Sequence, residues 1–449
     1  MRNLRRVFWG TLVLLLVLWL AAEPTILRTS GFFALRNAMV QLTGVIAIGC
    51  MGLAMVLALR PLWPQAWLGG LDKMYRLHKW LGIAALVASI LHWLWAKGPK
   101  WAVGWGWLDP PVHGERVPPA SAVEAWLSEQ RGLAEGIGEW TFYAVVILIA
   151  LALIQRFPYR LFYKTHRLLA VTWLALVFHT VVLMTPGHWL APVGWLVAAL
   201  LAGGSWAALV VLVRRVGANR KVPGTIKAMH WFDEVHSLEV EVALRGWPGH
   251  KPGQYAFVTV DAPEGAHPYT ITSSWDSADP VMTFGIRELG DYTRGLRDRL
   301  SIGQEVKVEG PYGCFTFDDG RARQIWIGGG VGVTPFIACR KHLAREQVDP
   351  GQRTARQIDL FHTTTEADDE VLERLAEDAR RAQVRLHILV DARDGFLTGQ
   401  RLREAVPDWR TAGIWFCGPA GFGEALRRDL AGHGFPVETQ FHQELFSMR

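Results

Sequence analysis

Residues 77–95 read LHKWLGIAALVASILHWLW, and residues 166–185 read HRLLAVTWLALVFHTVVLMT. Each stretch is long and apolar enough to cross a bilayer, which takes about 20 residues as a helix. Each also carries two histidines: His78 and His92 in the first, His166 and His179 in the second. Ionisable side chains inside a membrane are costly and mark function. At about 1.5 Å per residue, each pair is separated along its helix by about 20 Å. Two such helices running in the same direction present one histidine pair near each membrane face. Each pair can offer two neutral imidazole nitrogens to one haem iron. The phasing is imperfect. His78 and His92 lie close to four whole turns apart, but His179 falls about 0.4 turn short of the face of His166. A bend in the second helix, or approach from different sides, is required. Trp173 sits almost two turns beyond His166 and reads either as a filler between two macrocycles or as ordinary core packing.

Working outward, six apolar spans are expected, at about 7–22, 38–59, 77–95, 139–156, 166–185 and 190–213. Arg2, Arg5 and Arg6 precede the first span. Arg60, Lys73, Arg76 and Lys79 fall between the second and third; Arg156, Arg160, Lys164 and Arg167 between the fourth and fifth; Arg214, Arg215, Arg220 and Lys221 after the sixth. The other loops are poorer in cations, and the long one at 96–138 carries Asp109, Glu115, Glu124, Glu129 and Glu135. The positive-inside rule then places both termini in the cytoplasm of a bacterial inner membrane. The first apolar stretch reads as a retained helix rather than a cleaved leader, because no small-residue cleavage site follows it. The chain's 22 tryptophans fit the same picture, since indoles favour bilayer interfaces. The net charge of +6 follows from this topology and does not point to nucleic acid. Four cysteines without a CxxC pair argue against a disulfide scaffold or a zinc site.

After Lys221 the period changes. Short alternating segments at 237–244, 254–260, 282–287 and 305–309 suggest a small antiparallel β-barrel. From about Arg323, apolar strands at 324–327, 358–361, 384–390 and 414–417 alternate with helical patterns, the signature of a parallel α/β sheet. Three motifs lie on the barrel in order: His267-Pro268-Tyr269-Thr270-Ile271-Thr272-Ser273-Ser274, Ile286-Arg287-Glu288-Leu289-Gly290-Asp291-Tyr292-Thr293 and Val308-Glu309-Gly310-Pro311-Tyr312-Gly313. The first can stack on and hydrogen-bond a flavin ring. The second combines a cation with a glycine and an apparent helix start, where phosphate can bind. Gly328-Gly329-Gly330-Val331-Gly332-Val333-Thr334-Pro335 then follows a strand and opens a helix, the context of a dinucleotide loop, although Pro335 stands in place of its third glycine. Cys417-Gly418-Pro419 ends a later strand, where open parallel sheets bind ligands.

On these residues the chain resembles the ferric reductase and NADPH oxidase superfamily over nearly its whole length. The resemblance implies a six-helix transmembrane bis-haem domain at 1–215, an FAD-binding barrel at 216–321 and an NAD(P)-binding α/β domain at 322–449. It implies that His78 and His166 hold an inner haem b, and His92 and His179 an outer one. FAD would contact His267, Pro268, Tyr269, Thr270, Ile271, Thr272, Arg287, Gly290, Tyr292 and Thr293. Gly328, Gly330, Gly332, Thr334, Pro335, Cys417, Gly418 and Pro419 would line the nicotinamide site, for NADPH or NADH. Thr270 and Cys417 would flank the reacting rings, and Phe446, in Glu444-Leu445-Phe446, would cover the flavin until nicotinamide displaces it.

The implied activity passes electrons from cytoplasmic NAD(P)H through FAD and two haems to an extracytoplasmic acceptor, either a ferric chelate or dioxygen. The alternative is an electron-transfer module that reduces a periplasmic partner protein, with the 96–138 loop as a docking surface or a lid. The nucleotide preference stays open. Glu366, Asp368 and Asp369 follow the second α/β strand, with only the distant Arg393 as a cation for a 2′-phosphate.

Overall fold

The computed structural model describes residues 2–28, 31–111, 121–154, 156–261, 264–290, 292–346 and 356–444. The chain separates into two compact units. One comprises Met1–Pro64 and Lys73–Val216; the other comprises Gln65–Asp72 and the chain from Gly217 onward.

The first unit is a bundle of six helical spans: Arg2–Ala22, Phe32–Ala58, Leu71–Gly104, Ala122–Leu153, Tyr159–Leu183 and Pro192–Leu212. The fourth span packs along the fifth, and the second along the sixth. Large apolar side chains such as Val17, Val87, Trp140, Ile147 and Trp206 point outward, as lipid-facing residues of a bundle do. The chain is thus a multi-pass membrane protein with six candidate spans. Five spans exceed their expected length, the third and fourth by most. The third runs on to Gly104 and the fourth begins at Ala122, so much of the segment expected as a loop at 96–138 is helical. The cause at 121 is a cap: the Ser121 side chain accepts from the Glu124 N–H at 3.2 Å, and Glu three residues after Ser is the capping-box spacing.

Two irregularities in the spans have identifiable causes. In the fifth, helix Tyr159–Arg167 gives way to Leu169–Leu183 at Leu168. There the Leu168 N–H donates to Thr165 O and the Val171 N–H to Leu168 O, both at 3.0 Å. These tighter i→i+3 bonds lie between His166 and His179, where the spacing of the two histidines called for a bend or for approach from different sides. In the third span, Pro99 cannot donate to Trp95 O, its partner one turn back. The Arg36 side chain on the second span donates instead, from Nε to Trp95 O at 3.2 Å and from Nη2 to Ala96 O at 3.1 Å.

In the second unit, strands β1 Lys221–Phe232, β2 Ser237–Leu244, β3 Tyr255–Thr259, β4 His267–Thr270, β5 Val281–Arg287 and β6 Glu305–Tyr312 form an antiparallel sheet in the order β4-β3-β6-β1-β2-β5. A bridge between Ile271 and Phe284 joins its two edges into a barrel. Alternate residues of β2 face the core, where Leu238, Val240 and Val242 meet Phe284 and Val308. β1 was absent from the expected strands because Pro223 and Gly224 interrupt its pattern. Strands β7 Arg323–Gly329, β8 Gln357–Thr364, β9 Arg385–Val390, β10 Gly413–Cys417 and β11 Phe441–Gln443 form a parallel sheet, ordered β11-β10-β7-β8-β9. The chain therefore has six apolar helices, an antiparallel FAD-type barrel and a parallel nucleotide-type sheet.

Arg36 and Pro99 yield the first prediction. Arg36→Met leaves the Trp95 carbonyl, which Pro99 cannot serve, short of a partner and removes a second donor from Ala96 O, at a cost of about 1–2 kcal/mol. The detergent-solubilised protein then melts at a lower temperature. Pro99→Ala restores the missing N–H, so Arg36→Met costs less in that background. An equal cost in both backgrounds contradicts this account of the pairing.

Candidate functional site

The four span histidines come together as two pairs. The rings of His78 and His166 are 5.9 Å apart, centre to centre, and those of His92 and His179 are 6.1 Å apart. With metal–imidazole bonds of about 2 Å and roughly 1 Å from nitrogen to ring centre, two imidazoles sharing one metal ion have centres about 6 Å apart. Both pairs fit that spacing.

The tautomers fit as well. Nδ1 of His78 lies 2.9 Å from Ala54 O, Nδ1 of His92 2.9 Å from Val40 O, and Nδ1 of His179 2.9 Å from Ala134 O. A carbonyl can only accept, so Nδ1 carries the proton and Nε2 keeps its lone pair for a metal. Ligand histidines are commonly oriented in this way. The carbonyls come from the second and fourth spans, which no histidine marks in the sequence. Trp173 is fully buried, and its ring lies against Gly52 and Gly204 of the second and sixth spans.

In the second unit, a cavity of about 260 Å³ is lined by Thr272, Gly285 and Arg287 of the barrel and by Gly330, Val331, Thr334 and Lys341 of the glycine loop and the helix it opens. His362, Thr364 and Glu366, at the end of β8, complete the wall. Gly330 has φ +55°, and a Cβ there would lie 3.2 Å from an Arg287 nitrogen. Gly332 serves a different end, since a Cβ would overlap the Cys417 carbonyl; it lets two strand-end loops touch. The Thr272 hydroxyl is buried at the cavity wall with no protein partner among the described residues. A glycine-rich cradle, an orphaned hydroxyl and a cation suit a dinucleotide.

Arg287 donates to Glu366 at 2.6 Å, tying barrel to nucleotide sheet at the cavity wall. The expected helix start after Gly290 is corrected. Leu289 and Gly290 donate their N–H groups to Thr293 Oγ1 at 2.9 and 3.1 Å, and the helix that follows spans only Leu296–Arg299. The threonine turn uses the donors that a phosphate would need. His267 stacks on Tyr292, with ring centres 3.5 Å apart and planes 8° from parallel. The Arg299 guanidinium lies 4.9 Å from the Tyr292 ring centre. Burial, with Arg299 beside it, holds the His267 imidazole down to about 4, so the shelf is neutral at pH 7.

Tyr269 packs beside Phe284, and Pro268 pairs with Phe257 across β3. Thr270 is buried, and Ile271 points into the barrel core, leaving its backbone as its means of contact with a cofactor. Thr334 donates from Oγ1 to Val331 O at 3.0 Å, and Pro335 is buried behind it. The Cys417 thiol is fully buried and pushed well above its ordinary value by that burial. Gly418 and Pro419 pack against Gly329, across from Gly328, which pairs with Cys417. Arg393 is engaged by Asp394 at 3.0 Å. Phe446, with Leu445, lies outside the described residues. Sequence reasoning placed His362 and Glu366 at the end of the second α/β strand, where open parallel sheets bind ligands, but did not count them among the cofactor contacts; both line the cavity.

Comparison with known proteins agrees with this geometry. Residues 43–177 match the family described as ferric reductase like transmembrane component, and residues 225–316 an FAD-binding domain. The chain is 30% identical over 216 residues to the glycine betaine monooxygenase reductase subunit of Pseudomonas aeruginosa, covering 44% of this chain and 56% of that protein. It is 27% identical over 218 residues to the reductase component of propane 2-monooxygenase from Rhodococcus jostii, again covering 44% and 56%. The chain thus spans little more than half the length of these curated relatives. Among solved structures, the cytochrome P450 reductase GcoB of Amycolatopsis aligns with a TM-score of 0.43 and 25% identity, over 51% of this chain and 71% of that one. The flavohemoglobin of Malassezia yamatoensis aligns with a TM-score of 0.48 and 16% identity, over 92% and 98%.

His362 yields a prediction about pH. Burial holds its imidazole at about 4, against an ordinary value of 6.5; the Gly328 carbonyl opposes the shift and Arg340 adds to it. Between these values the unfolded chain binds a proton that the folded chain does not. Stability is therefore lost as pH falls from 6.5 to 4, by on the order of 3 kcal/mol in full. The drop in melting temperature between pH 7 and pH 5 shrinks in His362→Gln. An unchanged drop assigns the titration elsewhere.

Proposed function

We propose that this chain, a ferric reductase-like transmembrane component joined to an FAD-binding module of ferredoxin-reductase type, passes electrons from cytoplasmic NAD(P)H through FAD and two b-type haems to an extracytoplasmic acceptor. That acceptor is a ferric chelate or dioxygen, the latter giving superoxide. The observation that carries the reading is the pair of imidazole couples, 5.9 and 6.1 Å between ring centres. The proposed division is a haem domain at 1–215, an FAD domain at 216–321 and a nucleotide domain at 322–449. Both termini are placed in the cytoplasm by the Arg and Lys bias of the loops.

His78 and His166 would hold the inner haem, and His92 and His179 the outer one, each through Nε2. When bound, flavin supplies the exchange between a two-electron hydride and single electrons, and haem iron carries the single electrons. The protein's own groups bind and orient. The His267–Tyr292 shelf and Tyr269 offer aromatic faces to FAD, and the Thr270 hydroxyl offers a hydrogen bond beside them. Gly330 brings main chain close to the nucleotide pyrophosphate, with Arg287 beside it. Cys417, kept as a neutral thiol by burial, packs at the strand end without adding charge to the nicotinamide site.

Glu366 sets a carboxylate at the end of β8, where a ribose hydroxyl is held in sheets of this kind. It opposes a 2′-phosphate and favours NADH. A higher kcat/KM for NADH than for NADPH is expected, with the ratio narrowing in Glu366→Gln. Equal use of both nucleotides by the unaltered protein contradicts this preference.

A second reading, reduction of a periplasmic partner protein, draws on the curated relatives, which are named as reductase subunits or components of monooxygenases. Steady-state kinetics of the purified full chain with NADH, and with ferric citrate, oxygen or no acceptor, tests both. The first reading predicts rapid turnover with a small acceptor. Haem that NADH reduces but that stays reduced in air and in ferric citrate supports the protein-acceptor reading and defeats the first.

A further inference from the structure

Resting on the haem reading above, we propose that Gly138 and Gly44 are positioning residues for the outer pair of ligand imidazoles. In a helix, residue i+4 sits one turn above residue i on the same face, and the carbonyl of i points toward it. The outer histidines reach over such turns. His179 approaches Ala134 O, with Gly138 four residues on; His92 approaches Val40 O, with Gly44 four residues on. A Cβ on Gly138 would overlap His179 Nδ1 and Cε1 and lie 3.0 Å from its Cγ. A Cβ on Gly44 would lie 3.3 Å from both Nδ1 and Cε1 of His92, which is tight but tolerable. Thr43 Oγ1 stands 3.4 Å from the same Nδ1.

The pattern is specific. Gly132 and Gly136 on the span of Gly138, and Gly82 and Gly98 on the span of His92, have nothing within 4 Å of a built Cβ. At the inner pair, the residue four beyond Ala54 is Ala58, the last of its span, so the glycine requirement is confined to the outer level. Each glycine removes the side chain that would stand between ring and carbonyl. It thereby fixes Nδ1 as the donor, aims Nε2, and makes both outer ligands more electron-rich than an imidazole lacking that acceptor. Electron-rich ligands favour ferric iron, so this arrangement holds the outer haem at a lower potential than unassisted imidazoles would.

The test is haem content and redox titration of the b-type absorption band in purified full-length protein. Two haems per chain are expected in the unaltered protein. Gly138→Ala is expected to halve that content, with the inner haem reporting an intact fold. Gly44→Ala keeps both haems and raises the outer midpoint, and Gly136→Ala matches the unaltered protein in both readouts. Two haems with unshifted midpoints in both Gly138→Ala and Gly44→Ala overturn the proposal, as does a loss in Gly136→Ala equal to that in Gly138→Ala. If Gly138→Ala does not accumulate, Gly44→Ala decides by the outer midpoint. An unaltered protein that binds no haem defeats the haem reading instead, which is a distinguishable result.

Discussion

A neutral imidazole has one N–H to satisfy and one lone pair to place, and hydrocarbon offers neither a donor nor an acceptor. In this bundle the N–H of His78, His92 and His179 is met by a main-chain carbonyl of a neighbouring span. That single bond settles the tautomer, the ring orientation and the direction of the remaining nitrogen. The pairing of rings across the bundle depends on it, and the positions of the second and fourth spans are bound to it, because they bring the acceptors. Helix carbonyls already receive an N–H from one turn ahead, so the imidazole uses the second lone pair. Reaching it requires room on the crowded surface of a helix.

The same logic governs the backbone itself. Pro99 removes one donor from the third span, and Arg36 supplies it from the second. Leu168 tightens the fifth span between its two histidines. The irregularity at Leu168 lies between two histidines whose spacing is out of phase with the helical turn, and their rings nonetheless meet those of the third span in pairs. In the second unit, water is available and the constraint changes. There the glycine loop is shaped by close contact with the Cys417 carbonyl and by the need to leave Gly330 open beside Arg287.

Much of this was legible in the sequence for a physical reason: hydrophobic length and period are local. The six spans, the position of β2 and the alternation that follows Arg323 need no tertiary information. The histidine pairing was legible because hydrocarbon makes each imidazole costly, and four of them at matched spacing on two spans point to a shared task. What escaped depends on which surfaces meet. Gly44 and Gly138 look like any glycine in an apolar span until His92 and His179 are laid across them. The stretch after Gly290 looked like a helix start because nothing in the sequence shows that Thr293 takes the N–H groups of Leu289 and Gly290. The helical ends of the 96–138 segment were hidden by its polar composition, although Ser121 and Glu124 carried the cap signal.

The central claim is that each imidazole pair grips one iron through both Nε2 atoms. Low-temperature electron paramagnetic resonance of the oxidised full-length protein, alongside its haem-to-protein ratio, measures this most directly. The account predicts two haems per chain, both low-spin with two axial imidazoles. A high-spin signal with one open axial position at either haem, or a chain purified after haem supplementation that binds none, contradicts it.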